Sequence, residues 1–166
     1  MRTLPPATTR DTVRFRQAAA GDSGTVARLH RATVRACLPF LPDLHTAEED
    51  SAYFRDRLFR DCTVWVAEVP AGRAASIVGY CAFRPDWVDH LFVDPAHHGE
   101  GIGGALLDRA MAANDRLMLW VFQRNAAAIS FYVARGFRLV RTTDGSDNEE
   151  GEPDALYAWS RSRKAP

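Results

Sequence analysis

The sequence predicts an α/β (α+β) fold with about seven strands and about four helices, and three observations predict it. Short apolar runs rich in β-branched and aromatic residues recur along the chain, the clearest being Thr63-Val64-Trp65-Val66-Ala67-Glu68-Val69 and Leu117-Met118-Leu119-Trp120-Val121-Phe122. Between them lie segments whose apolar residues fall at helical spacing. The third observation is the stretch from His90 to Ala113, in which Leu91-Phe92-Val93 has strand character, Asp94-Pro95 stops it, and four glycines precede an amphipathic segment. At 166 residues with 46% apolar content, the chain fits one domain with a real core. We expect a loose polar arm over residues 1–10 and one domain over residues 11–166.

The elements follow in order. Thr12-Val13-Arg14-Phe15-Arg16 alternates polar and apolar residues, a half-buried strand. Asp22 or Ser23 then caps a helix with Val26, Leu29, Thr33 and Val34 on one face, broken at Pro39 and Pro42. Thr46-Ala47-Glu48-Glu49 has capping-box spacing and opens a second helix through Phe54 and Leu58, so Leu38 to His45 is a bent linker. Thr63 to Val69, a turn at Pro70-Ala71-Gly72-Arg73, and Ser76 to Phe83 read as a hairpin. Arg84-Pro85-Asp86 turns the chain into a strand from Trp87 to Val93. The next helix carries Ile102, Leu106, Ala110 and Ala113 inward and Asp108, Arg109 and Asn114 outward. The continuous apolar run Leu117 to Phe122 predicts a strand covered on both faces. Ala126 to Arg135 is a helix ended by Gly136 in a left-handed cap, and Phe137 to Thr142 and Ala155 to Ser160 are the last strands.

Bulk properties narrow the function. Net charge is zero, which gives no support to binding of nucleic acid or an anionic membrane. No apolar run is long enough to span a bilayer and residues 1–10 lack a signal-peptide core, so a cytoplasmic location is expected. Cys37, Cys62 and Cys81 are odd in number and widely spaced, which argues for buried or incidental thiols and against a disulfide framework or zinc site. His97 and His98 are adjacent and have no acid or Cys at ligand spacing, so no metal is expected.

The glycine stretch carries the chemistry. Gly99, Gly101, Gly103 and Gly104 let the main chain approach a ligand closely, and the free N–H groups at the start of the following helix attract anions. A diphosphate suits such a site. Gly99-Glu100-Gly101-Ile102-Gly103-Gly104 formally satisfies the dinucleotide fingerprint G-x-G-x-x-G, but five residues separate it from the strand. The ribose acid is also missing: the next strand ends in Gln123-Arg124-Asn125.

Read in another frame, His98-Gly99-Glu100-Gly101-Ile102-Gly103 resembles the Gln/Arg-x-x-Gly-x-Gly/Ala loop of the GNAT superfamily of acyl-CoA-dependent N-acetyltransferases. As in that family, Leu-x-Val-x-Pro precedes it at Leu91 to Pro95. His98 departs from the usual Gln or Arg; its ring still donates hydrogen bonds, with a charge that varies with pH. A second stretch, Asn125 to Phe137, is similar to the family's Asn-x-x-(Ala)-x-x-Phe-Tyr-x-x-x-Gly-Phe segment. The resemblance covers nearly all of the chain beyond the arm and implies a GNAT-like mixed central sheet with flanking helices. It implies acetyl transfer from acetyl-CoA to a primary amine, with Leu91, Phe92 and Val93 holding the thioester carbonyl through main-chain N–H groups. His98, Gly99, Glu100, Gly101, Ile102, Gly103 and Gly104 would hold the pyrophosphate, and Asn125 the pantetheine arm, unless Asn125 is a plain N-cap.

Acetyl transfer needs a neutral amine, a polarised carbonyl and a proton for the departing thiolate. The resemblance places Tyr132 near the thioester sulfur as proton donor; the competing reading is an aromatic packed on the sheet. For the base, Asp89 and His90 stand on the strand entering the site, and strand alternation puts Asp89 on the face of Leu91 and Val93 and His90 on that of Phe92. His45, in the linker, is the third candidate.

Asp144 to Asp154 holds six acids and no base. It reads as a mobile solvated connection or as a lure in which Glu149 and Glu150 attract a cationic acceptor, small molecule or peptide. No Cys sits on either motif and no Ser-His-Asp arrangement is legible, which favours direct transfer in a ternary complex over an acyl-enzyme. The competing classes are a non-catalytic acyl-CoA-binding module of the same fold and a nicotinamide-dependent oxidoreductase. The resemblance also leaves a homodimer open.

Overall fold

The structure, a computed structural model, describes residues 12–162; the arm expected over residues 1–10 lies outside them. Strand β1 (Arg14–Gln17) leads through a short 3-10 turn to helix α1 (Ser23–Cys37), and α2 (Ala47–Tyr53) follows the linker. Strands β2 (Thr63–Ala71), β3 (Ala74–Arg84) and β4 (Trp87–Val93) precede helix α3 (Ile102–Ala113). Strand β5 (Arg116–Phe122), helix α4 (Ala126–Ala134), and strands β6 (Arg138–Thr142) and β7 (Asp154–Ser160) complete the order.

One mixed seven-stranded sheet runs β1-β2-β3-β4-β5-β7-β6. Every neighbouring pair is antiparallel except β4 and β5, which are parallel and register at a single pair, Trp87 with Met118. Beyond that pair the two strands diverge towards their C-terminal ends. A parallel crossover needs a helix, and α3 supplies it.

Two apolar layers hold the sheet. On one face Ile102, Leu106, Leu107 and Ala110 of α3 and Tyr132 of α4 pack on Cys81, Phe83, Leu117, Leu119 and Val121. On the other, Val26 and Ala27 of α1 and Phe54 and Leu58 pack on Val64, Val66, Tyr80 and Ala82. Gly79 allows α3 to come close, since a Cβ there would stand 3.2 Å from the Leu106 side chain and 3.3 Å from that of Ile102.

Several expectations are corrected. Alternation around β1 begins two residues late, and Asp22 does not cap α1: its carboxylate accepts from Ala19 N–H and pairs with Arg16. Thr46 and Glu49 do form the expected reciprocal cap, but α2 widens into a π-turn over Phe54–Leu58 that turns both apolar side chains into the core. Pro70 and Ala71 extend β2, so the hairpin closes on Gly72 and Arg73 alone, with Gly72 at φ +61°. Strand β5 is covered on one face only. Leu117, Leu119 and Val121 are buried, whereas Trp120 is 41% exposed, because α1 and α2 reach across β1 to β4 and no further. Arg109 is not simply outward; its guanidinium lies over the rings of Phe15 and Trp65.

Candidate active site

The divergence of β4 from β5 opens a cleft of ≈ 690 Å³. Its walls are β4 at Leu91, Phe92 and Val93, the glycine loop, the start of α3, and α4 from Asn125 to Arg135. Thr33 and Cys37 of helix α1 close it, with Leu38 just beyond the helix end.

Backbone hydrogen bonding decides which amides face the gap. Asp94 N–H donates to Val78 O, so the residues two apart from Asp94 on β4 point their amides at β3, and Phe92 pairs with Tyr80. Leu91 and Val93 therefore turn their N–H groups towards the unpaired side, where β5 has left. Of the three residues expected to hold a carbonyl through main chain, Leu91 and Val93 are placed to do so; the Phe92 amide is spent on β3.

The glycine loop is built as its sequence requires. Gly99 and Gly101 have φ +78° and +83°, a region costly for a residue with a Cβ. Gly101 caps α3, whose first internal hydrogen bond runs from Ala105 N–H to Gly101 O, leaving the amides of Ile102, Gly103 and Gly104 free of helical partners. Asp94 caps the short turn before the loop, and His98 ties the loop down: its Nε2 lies 2.7 Å from Val93 O and donates there. Glu100 turns to His97, 3.1 Å from Nδ1. His97 and His98 thus engage different partners.

Tyr132 sits at the floor of the cleft, 8% exposed, with Phe131 and Phe137 against its ring. Its hydroxyl makes no hydrogen bond among the described residues, and burial pushes its pKa well above the usual phenol value, so it remains a donor at any working pH. Thr33 Oγ1 is sealed from solvent without a partner at the cleft wall. Asn125 caps α4, accepting from Ala128 N–H at 3.2 Å, and its residue still lines the cleft.

The three base candidates are not brought to the cleft, and the predicted alternation of Asp89 and His90 fails. A bulge pairs Ala82 with His90 but Phe83 with Val88, leaving Asp89 as the extra residue. Asp89 consequently shares the α1/α2 side of the sheet with His90. Its carboxylate accepts from Arg84 Nε at 3.0 Å and from the Cys62 thiol at 3.6 Å. His90 joins a cluster: Tyr80 Oη lies 2.8 Å from Nδ1 of both His90 and His30, whose rings stack at 5.0 Å. One hydroxyl can donate to only one of them, so the other ring must carry its proton on Nδ1. Burial lowers His90 to about 3 and His30 to about 4.

His45 lies 3.1 Å from both carboxylate oxygens of Glu149, across 104 residues of chain, and that hydrogen bond raises its pKa. The acidic stretch is accordingly a structured loop. Asn148 braces it by donating to Glu152 O and accepting from Glu152 N–H, and Thr143 Oγ1 donates to Asp154. Glu150 lines a second hollow of ≈ 390 Å³ with Asp147, Asp154, Trp120 and Phe122, on the open face of β5. Burial raises the Glu150 pKa, and Glu149 adds to the effect.

The sequence reading missed Thr33, Phe131 and Arg135 as cleft residues. A lone hydroxyl on the apolar stripe of α1 and a basic residue just before Gly136 were the available signals.

A cleft with bare amides at the start of α3, two more on the open side of β4 and an unpartnered phenol has the donors that a coenzyme A thioester, with its diphosphate and carbonyl oxygen, requires. The free amides and the orphaned Thr33 hydroxyl fit such a group. Comparison with known proteins agrees. Residues 60–139 match the sequence model of an acetyltransferase (GNAT) domain. The chain is 27% identical over 117 residues to the peptidyl-lysine N-acetyltransferase YjaB of Salmonella typhimurium, covering 70% of this chain and 77% of that protein. The solution structure of apo YjaB from Escherichia coli superposes with TM-score 0.71 at 23% identity, covering 90% of this chain and 99% of that one. YncA of Salmonella typhimurium, a putative acetyltransferase solved with acetyl-CoA, superposes with TM-score 0.68 at 19% identity, over 93% and 97% of the two chains. Residues 60–139 thus carry the signature of a GNAT acetyltransferase domain.

Proposed function

We propose that the protein acetylates the side-chain amine of lysine in a peptide or protein by direct transfer within a ternary complex. The observation that supports this reading is the acid-lined hollow of Glu150, Asp147 and Asp154 on the open face of β5, in a chain that also carries the glycine-loop cleft. The name of the Salmonella relative points to the same acceptor class.

Acetyl-CoA supplies an acetyl group activated as a thioester. The amides of Ile102, Gly103 and Gly104 hold its diphosphate, and the Leu91 and Val93 amides hydrogen-bond the carbonyl oxygen as negative charge develops there. Tyr132 donates its proton to the departing sulfur. Asn125 keeps its capping bond while its side chain borders the pantetheine arm.

The acceptor enters as an ammonium drawn by Glu149, Glu150, Asp147 and Asp154 and must lose a proton before attack. A base works best with a pKa near the working pH. His90, at about 3, is too weakly basic to compete, and Asp89 is held by Arg84. Glu150 carries a raised pKa, lines the acceptor hollow and takes the proton, directly or through water; His45 holds Glu149 in place beside it. The reading places the reaction in the cytoplasm, where acetyl-CoA and protein lysines meet. No helix among the described residues is long and apolar enough to cross a membrane.

The test is mass spectrometry of lysine peptides incubated with the protein and acetyl-CoA. Acetylation at Nε, with free thiol released in equal amount, supports the reading. Acetylation confined to α-amines, or thiol release without peptide product, contradicts it.

A further inference from the structure

The side chains lining the cleft include one permanent cation, Arg135. Three features of its placement bear on its role. No carboxylate among the described residues forms an ion pair with it, so its charge is not already neutralised. Its Cζ lies over the Phe131 ring, 3.8 Å from the centroid, and Nη1 donates to Phe131 O at 3.3 Å, which leaves most of its donors unused. It also occupies the space that Gly104 leaves by lacking a side chain, since a Cβ there would collide with Nη2. The guanidinium therefore rests against the first turn of α3, beside the free amides of Ile102, Gly103 and Gly104. Meanwhile the loop's own ring donor, His98, is committed to Val93 O.

We propose that Arg135 is the phosphate-reading residue of the cofactor site, reaching across the gap between α4 and α3 to pair with a phosphoryl group of coenzyme A. Phe131 is its rest position: cation–π stacking keeps the guanidinium out of bulk water and oriented towards the α3 terminus until a phosphate arrives. A planar fork suits a phosphate better than the point charge of an ammonium, so lysine is not an equivalent replacement. Coenzyme A offers two sources of that chemistry, the diphosphate and the 3′-phosphate of its ribose. This inference rests on the reading of the cleft as a coenzyme A site.

Calorimetric titration of the wild type and of R135Q with coenzyme A and with dephospho-coenzyme A tests it. Loss of a charge-assisted hydrogen bond to phosphate corresponds to about a tenfold to hundredfold weaker Kd. Wild-type preference for coenzyme A over the dephospho form, abolished in R135Q, supports the proposal and assigns the 3′-phosphate. Equal weakening towards both ligands in R135Q supports it and assigns the diphosphate. Unchanged Kd for both, with wild-type binding intact, overturns it. Failure of the wild type to bind either ligand overturns the cofactor reading and this inference with it. A structure with coenzyme A bound is a readout independent of how R135Q folds: a guanidinium within hydrogen-bond distance of a phosphate oxygen supports the proposal, and one still stacked on Phe131 away from every phosphate overturns it.

Discussion

Replacing Tyr132 by phenylalanine separates chemistry from folding more cleanly than any other change in this protein. The ring packs against Phe131 and Phe137 at centroid distances of 5.2 and 5.5 Å, and phenylalanine keeps both contacts. The hydroxyl has no protein partner among the described residues, so its removal orphans nothing and stability should change by less than about 0.5 kcal/mol. Tyr132→Ala, by contrast, would open a cavity in the layer under α3 and α4 and cost about 3–5 kcal/mol. If the phenol protonates the leaving sulfur, Y132F loses general-acid assistance, about 10²- to 10⁴-fold in kcat. That corresponds to about 3–5 kcal/mol of barrier. The KM for acetyl-CoA should stay within about threefold, because the amides of Leu91, Val93 and the glycine loop still hold it. The assay is continuous detection of free thiol with a lysine peptide as acceptor, alongside a thermal melt. Full turnover in a folded Y132F would refute the proton-donor assignment.

Other perturbations test other parts of the site. Gly101→Ala forces a side chain into a φ of +83° at the cap of α3, so it should cost about 1–2 kcal/mol in a denaturant melt and weaken acetyl-CoA binding, which would otherwise be unaffected. Glu150→Gln should lower kcat/KM for a lysine peptide and remove the acidic limb of its pH profile; an unchanged limb would leave Glu150 out of the proton path. Neutralising Glu149 should raise KM for cationic peptides at low salt, with the difference fading as ionic strength rises. The same change should leave the melting temperature essentially unchanged, because its pair with His45 is exposed. His30 and His90 are held neutral by burial, with folded pKa values of about 4 and about 3, below the unfolded value of 6.5. Their contribution is thus complete above pH 6.5 and is lost as pH falls towards 4 and 3, by at most ~1.4 kcal/mol per pH unit for each ring. The melting temperature of His30→Asn should fall less steeply over that window than that of the wild type.

Local chemistry made much of this molecule readable. Gly99, Gly101 and Gly136 were legible because their left-handed backbones admit few other residues, and Thr46 to Glu49 because a capping box is a four-residue affair. Leu91, Val93 and Tyr132 could be placed from their motifs because the strand, loop and helix that carry them are each set by short-range pattern. What escaped depends on contacts distant in sequence. The bulge at Asp89 arises from pairing with β3 and leaves no trace in alternation, so the face of Asp89 was misread. The open face of β5 follows from how far α1 and α2 reach, which the apolar run Leu117 to Phe122 does not encode. The clasp of His45 on Glu149, and the meeting of Arg135 with Gly104, join segments whose proximity only the closed sheet creates.

Every step of the proposed reaction needs a coenzyme A site where β4 parts from β5. Isothermal titration of the protein with acetyl-CoA measures it most directly. Saturable binding of one molecule per chain, with a matching rise in melting temperature, is the predicted result. Absence of heat and of thermal protection at saturating ligand would contradict it.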